Sequence, residues 1–158
     1  MNLLKNRRDK METSYRKIFL VAFVIFSLGL TGCATLGPVY QKVEKIPENT
    51  GVVNVYRPSS FAGGGVSPTL YTDKGKTPLS KIYQGGYFTY FAKPGEVDFS
   101  AATETESSVT LDIKSGQVYY VKLTIGIGIL VGRPHLTVVS PEIGEKEIAE
   151  CKLIPKEN

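Results

Sequence analysis

His135 is the only imidazole in the chain, and it limits what the protein can catalyse. A Ser-His-Asp or Cys-His arrangement would have to use it as its base. It follows Pro134 at the start of an apolar stretch, where a surface or strand-edge role is the plainer expectation. Glu104 and Glu106 stand two apart. On a strand they would share one face, a geometry that suits cation binding or, with Asp98 nearby in sequence, glycan hydrolysis. In a turn between strands they are merely solvated, and that is the favoured reading. One His, two Cys and scattered carboxylates give no zinc spacing, so neither metal nor cofactor is expected. The Gly63-Gly64-Gly65 run lacks the Lys-Ser/Thr of a phosphate loop, and Gly126, Gly128 and Gly132 miss dinucleotide spacing by one residue. The apolar segment from Ile125 to Val131 is expected as a buried strand or bend whose glycines allow close backbone approach. The competing reading is a loop that touches a membrane or a partner.

Cysteine chemistry points elsewhere. Arg16-Lys17 is followed by thirteen uncharged residues, Ile18 to Leu30, the length of a signal-peptide apolar region and short for a membrane span. Leu30-Thr31-Gly32-Cys33 comes next and resembles the bacterial lipobox: a branched apolar residue, two small residues, then a thiol. The resemblance implies thioether lipidation of Cys33, cleavage between Gly32 and Cys33, and acylation (palmitate class) of the new amino terminus. Two or more acyl chains anchor stably, because each buried methylene contributes about 0.8 kcal/mol. Ala34 stands where lipoproteins kept at the inner membrane often carry Asp, which implies the outer membrane, periplasmic side. Met11 is an alternative start giving a 22-residue signal. With Cys33 lipidated, Cys151 is alone, so no intramolecular disulfide is available, and it is expected as a small buried side chain.

The charge balance has the same origin. Of the 19 Lys+Arg and 15 Asp+Glu, residues 1–32 hold 6 basic and 2 acidic, leaving 13 against 13 from Cys33 onward. The formal +4 belongs to the export segment, and a neutral mature chain without basic stripes argues against nucleic acid.

The elements that would position these groups are short. All nine Pro and 14 of the 16 Gly lie beyond Gly32, a density that argues against long helices. Expected strands are 52–57, 69–72, 79–83, 87–91, 97–103, 108–113, 118–125 and 136–139. They are separated by Asp73-Lys74-Gly75, Gly85-Gly86, Lys93-Pro94-Gly95 and Lys114-Ser115-Gly116. Val109, Leu111 and Ile113 alternate with Thr110 and Asp112, as do Val97, Phe99 and Ala101 with Asp98 and Ser100, so each strand has one dry face. The fold class is therefore all-β: a single antiparallel β-sandwich of about seven or eight short strands. A short C-terminal helical segment is expected over 141–151. The expected organisation is a signal peptide over 1–32, a lipidated Cys and flexible tether over 33–50, and a β-sandwich domain over 51–158.

The order Val55-Tyr56-Arg57-Pro58-Ser59, Gly85-Gly86-Tyr87-Phe88, Pro94-Gly95-Glu96, Gly116 to Val121 and Leu130-Val131-Gly132-Arg133-Pro134 resembles the bacterial outer-membrane lipoprotein family with domain of unknown function 2846, over roughly residues 51–150. The stretch from Tyr90 to Ser100 also resembles the proline-glycine hairpin of PEGA-type and transthyretin-like sandwiches. These resemblances imply a small all-β envelope domain and lend no catalytic positions.

Aromatic residues supply the remaining candidate. Tyr83, Tyr87, Phe88, Tyr90 and Phe91 crowd nine residues, with Tyr87 and Phe91 pointing one way and Phe88 and Tyr90 the other. Such a strip could pack against a protein or stack on sugars. The expected function is a non-catalytic, lipid-anchored envelope lipoprotein whose sandwich binds or braces a protein or cell-wall component. The alternative is a glycan or cell-wall hydrolase using carboxylates in a cleft.

Overall fold

A computed structural model of the chain describes residues 36–60, 64–129 and 131–155. The expected signal segment, Met11, Gly32 and Cys33 lie outside the described residues. Among those described, the elements are β1 (Gly51–Arg57), β2 (Thr69–Thr72), β3 (Thr77–Lys81), β4 (Gly86–Ala92), β5 (Gly95–Ala102), β6 (Glu106–Ile113), β7 (Val118–Gly126), β8 (Arg133–Val139), α1 (Pro141–Ile148) and β9 (Lys152–Leu153). The all-β class with a short C-terminal helix holds.

The strands form two sheets, ordered β8-β7-β1-β4-β9 and β3-β2-β5-β6. The smaller sheet is antiparallel throughout. The larger one is mixed, since β1 runs parallel to β7 and β4 parallel to β9, where antiparallel pairing alone was expected. Alternation within a strand marks which face is dry and says nothing of a neighbour's direction.

Between the sheets lies a core of Val53, Val55, Leu70, Phe88, Phe99, Leu111, Ile113, Val121 and Leu123. Tyr90 meets Phe99 edge to face across it, ring centroids 5.7 Å apart. A second cluster, Tyr56, Tyr87, Tyr120, Ile148 and Cys151, fills the outer face of the larger sheet beneath α1. Covered on both faces, β1 is buried at all seven positions.

Turn chemistry sets the strand ends. Asp73, Lys74 and Gly75 all have positive φ, and Lys76 N–H donates to Asp73 C=O at 3.1 Å, a tight reversal that lets β3 resume at Thr77 instead of Leu79. Pro78 is tolerated because β3 is an edge strand. The helix stops at Ile148 instead of continuing to Cys151, whose N–H turns back onto Ile148 C=O at 2.8 Å while its C=O accepts from Tyr40 N–H.

That last bond corrects the tether. Gly37 N–H donates to Leu153 C=O at 2.7 Å, Leu153 N–H to Pro38 C=O at 2.8 Å, and Val39 bridges Lys152. Tyr40 packs edge to face on Tyr87 at 5.2 Å. The compact unit therefore begins at Leu36, not Gly51. Its Gly, Pro and charged residues read as a linker because the partner strand β9 is two residues long and far away in sequence.

Candidate functional site

The two long rims of the sandwich differ. On one, β8 and β6 approach, and Leu136 N–H donates to Ser107 Oγ at 2.9 Å. On the other, β9 covers only Gly86 and Tyr87 of β4. Ile154 N–H donates to Tyr87 C=O, so by strand alternation Thr89 and Phe91 also turn their N–H and C=O away from β1. No described strand pairs with them there. Opposite runs the outer edge of β3, which pairs with β2 alone.

Between these edges lies a groove of about 730 Å³, lined by Tyr71, Leu79, Phe88, Tyr90 and Phe91 with Thr69, Pro78, Ser80, Lys81 and Thr89. Backbone donors and acceptors stand beside apolar side chains. This is the surface that accepts an added strand, with main-chain bonds for affinity and pockets for alternate side chains.

The five aromatics that the sequence crowds together do not form one strip. Tyr87 is buried on the outer face against Tyr40, and burial raises its phenol above the usual value. Tyr83 packs against the inner core, and its C=O caps the turn by accepting from Gly86 N–H at 3.0 Å. Phe88, Tyr90 and Phe91 line the groove, Phe91 being 47% exposed. Tyr71 and Leu79 join them from the opposite sheet, and no sequence spacing links those two to β4.

The carboxylates are separated by function. Glu104, in the β5–β6 turn, accepts the N–H of Ile129 at 2.9 Å and that of Val131, with Arg133 Nε 4.0 Å away. Glu106 is exposed at the first position of β6. Asp98 sits on β5 and accepts Lys74 N–H at 2.7 Å, stitching the β2–β3 turn. His135 is exposed on β8 opposite Thr124. Among the described residues no three of His, Cys, Asp and Glu gather as a metal site.

The Ile125–Val131 segment differs from the buried strand or bend expected of it. Ile127 is 94% exposed, Ile129 85% and Val131 51%. Glu104 explains the difference, since its carboxylate takes the backbone donors that would otherwise pull the segment into a ladder.

Beneath α1, Glu147 joins Tyr56 Oη at 2.6 Å and Lys122 Nζ at 2.7 Å. Burial pushes the Glu147 carboxyl up, and the bonds from Lys122 and Tyr56 outweigh it, leaving it below the usual carboxylate value. Tyr56 and Tyr120 are raised, first by burial, then by their bonds to Glu147 and Tyr40 respectively. Cys151 is buried, which pushes its thiol up to about 11. Arg57 is buried too, and donates to Val66 C=O, fastening the loop after β1. Nothing in the spacing of the sequence assigns Arg57 that task, because its acceptor is a backbone carbonyl.

No curated protein and no solved structure matches the chain. A family model described as "Protein of unknown function (DUF2846)" matches residues 47–134, which takes in β1 to β7, the groove and the exposed 127–131 tip and leaves α1 and β9 outside. That match spans more than half of the sequence, and the chain belongs to the DUF2846 family.

Proposed function

We propose that this chain is a lipid-anchored lipoprotein of the outer membrane, facing the periplasm, whose sandwich binds or braces a protein or wall component without catalysis. One observation carries the binding role: the open rim between β3 and β4, where backbone at Thr89 and Phe91 without a described partner strand borders an apolar groove. The non-catalytic reading draws support from the side chains a hydrolase would need. Glu104 and Asp98 are occupied by backbone donors at separate turns, and His135 lines none of the described grooves. The anchor reading draws on the lipobox-like Leu30-Thr31-Gly32-Cys33 and the apolar run before it.

Two measurements test this. Fatty-acid labelling of wild type and Cys33→Ala should lose its signal in the variant, and label retained by Cys33→Ala sinks the anchor. A photoreactive side chain at Phe91, in intact cells, should give crosslinked species that the same group at Ile143 on α1 does not. Identical patterns at both positions would rule out the rim.

A further inference from the structure

The apolar tip between β7 and β8 is a second surface, on a different part of the domain from the β3–β4 groove. Its shape is built. Glu104 satisfies the N–H groups of Ile129 and Val131, and Thr103 Oγ1 donates to Gly132 C=O. A Cβ on Gly128 would stand 2.5 Å from Gly132 N and 2.6 Å from Glu104 Oε2, so the neck closes only with glycine there. The glycines that fail as a nucleotide motif pinch a loop whose backbone donors at Ile129 and Val131 are already taken and whose isoleucines stand in water. Satisfied backbone with bare apolar side chains is what a polypeptide needs to enter a lipid boundary, where an unmet N–H costs several kcal/mol.

Charge and chain length say what covers it. The stretches 58–68 and 123–132 contain no Asp, Glu, Lys or Arg. They leave the same end of the larger sheet, where β1 and β7 run out in parallel, and a groove lined by Gly65, Val66, Glu104 and Val131 joins them. Gly37 is bonded opposite Leu153, Leu153 pairs with Tyr87, Tyr87 with Tyr56, and Tyr56 with Lys122. The amino-terminal entry is thus level with Lys122, and the tip begins about 13 Å further along β7. Only residues 34 and 35 lie between Cys33 and the docked Leu36. A chain of that length reaches roughly 10 Å at full extension. A lipid on Cys33 would therefore hold this half of the domain against the bilayer surface.

We infer that Ile127, Ile129 and Val131 insert into the headgroup and acyl boundary of the membrane that carries the lipid anchor, giving the domain a second point of membrane contact. The inference rests on the anchor reading for its geometry, and the test separates the two. The chain contains no tryptophan, so Ile129→Trp introduces a unique fluorophore. The lipidated Ile129→Trp protein is reconstituted into phosphatidylcholine vesicles with and without brominated acyl chains. Its indole emission should shift to the blue on reconstitution and lose intensity with brominated lipid, while that of Ile143→Trp should do neither. If the protein floats with the vesicles but the Ile129→Trp indole emits as in water and is quenched by iodide, insertion is overturned and the anchor stands. A blue shift without bromolipid quenching means a second copy covers the tip, and also overturns insertion. Loss of flotation by Cys33→Ala supports the anchor, and its absence identifies failure of the anchor alone. Ile127→Asp, added to Ile129→Trp, provides the independent check: it should reduce the bromolipid quenching with the melting curve unchanged, and unchanged quenching counts against insertion.

Discussion

Gly144 of α1 lies against the ring of Tyr120 so closely that a Cβ there would stand 2.2 Å from Cγ. Glycine in a helix ordinarily costs about 1 kcal/mol relative to alanine. Here it lets the helix descend onto the outer face of the larger sheet. Gly144→Ala should destabilise the domain by about 1–3 kcal/mol despite its better helix propensity, as overpacked cores do. Denaturant titration checks this, and a stabilised variant would show that α1 is not seated on Tyr120.

Glu104 should matter more than Glu106. Glu104→Ala leaves the Ile129 and Val131 amides without their acceptor, so their hydrogen exchange should accelerate, with a loss of about 1–3 kcal/mol where the groups stay shielded. Glu106→Ala, at an exposed strand start, should remain within about 0.5 kcal/mol of wild type. Equal effects would remove the clamp as the reason the tip stands out.

Alkali should unfold the protein in a defined window. The Cys151 thiol is raised from 9.0 to about 11 by burial, and Tyr56 and Tyr120 are raised from 10.0. A group whose folded pKa lies above its unfolded value favours the native state below the unfolded pKa, and that contribution is lost as pH climbs towards the folded one. Stability should decline from about pH 9 and more steeply above pH 10 as unfolded tyrosines ionise. Cys151→Ser and Tyr56→Phe should flatten the fall in a pH series of thermal melts. The same thiol should react with a disulfide reagent at about pH 8 only after unfolding.

Acid acts on the same helix with the opposite sign. Glu145, paired with Lys42 at 2.5 Å, and Glu147, held by Lys122 and Tyr56, both sit below the usual 4.5. Their contribution is present above the unfolded value of 4.5 and is lost as pH falls through the folded values. The Glu145 pair is exposed and screened, so Glu147→Gln should move the acid transition more than Glu145→Gln. An equal shift for both would show that burial of the Glu147 site does not matter.

The groove predicts a division between stability and binding. Phe91→Ser should leave the melting curve near wild type, since that side chain is half exposed, while abolishing the crosslinks formed at neighbouring groove positions such as Leu79. Tyr87→Ser should instead unfold or severely destabilise the domain, because Tyr87 is buried against Tyr40. A Phe91→Ser protein that crosslinks normally would exclude this rim as the docking surface.

Local chemistry decided much of this protein. Alternating residues such as Val109, Leu111 and Ile113, and turn residues such as Gly85, Gly95 and Gly116, which take positive φ, were enough to locate the strands and the all-β class. Strand period and turn conformation are near-neighbour properties, so they can be read along a chain. Pairing was different. That β1 runs parallel to β7, that Leu36 to Tyr40 docks on β9, and that Tyr71 and Leu79 face Phe91 across an open rim all depend on residues far apart in sequence. The apolar run from Ile125 to Val131 had the composition of a buried strand. It stands in water because one carboxylate some 25 residues earlier, at Glu104, captures its backbone donors, and only the folded chain brings that carboxylate there.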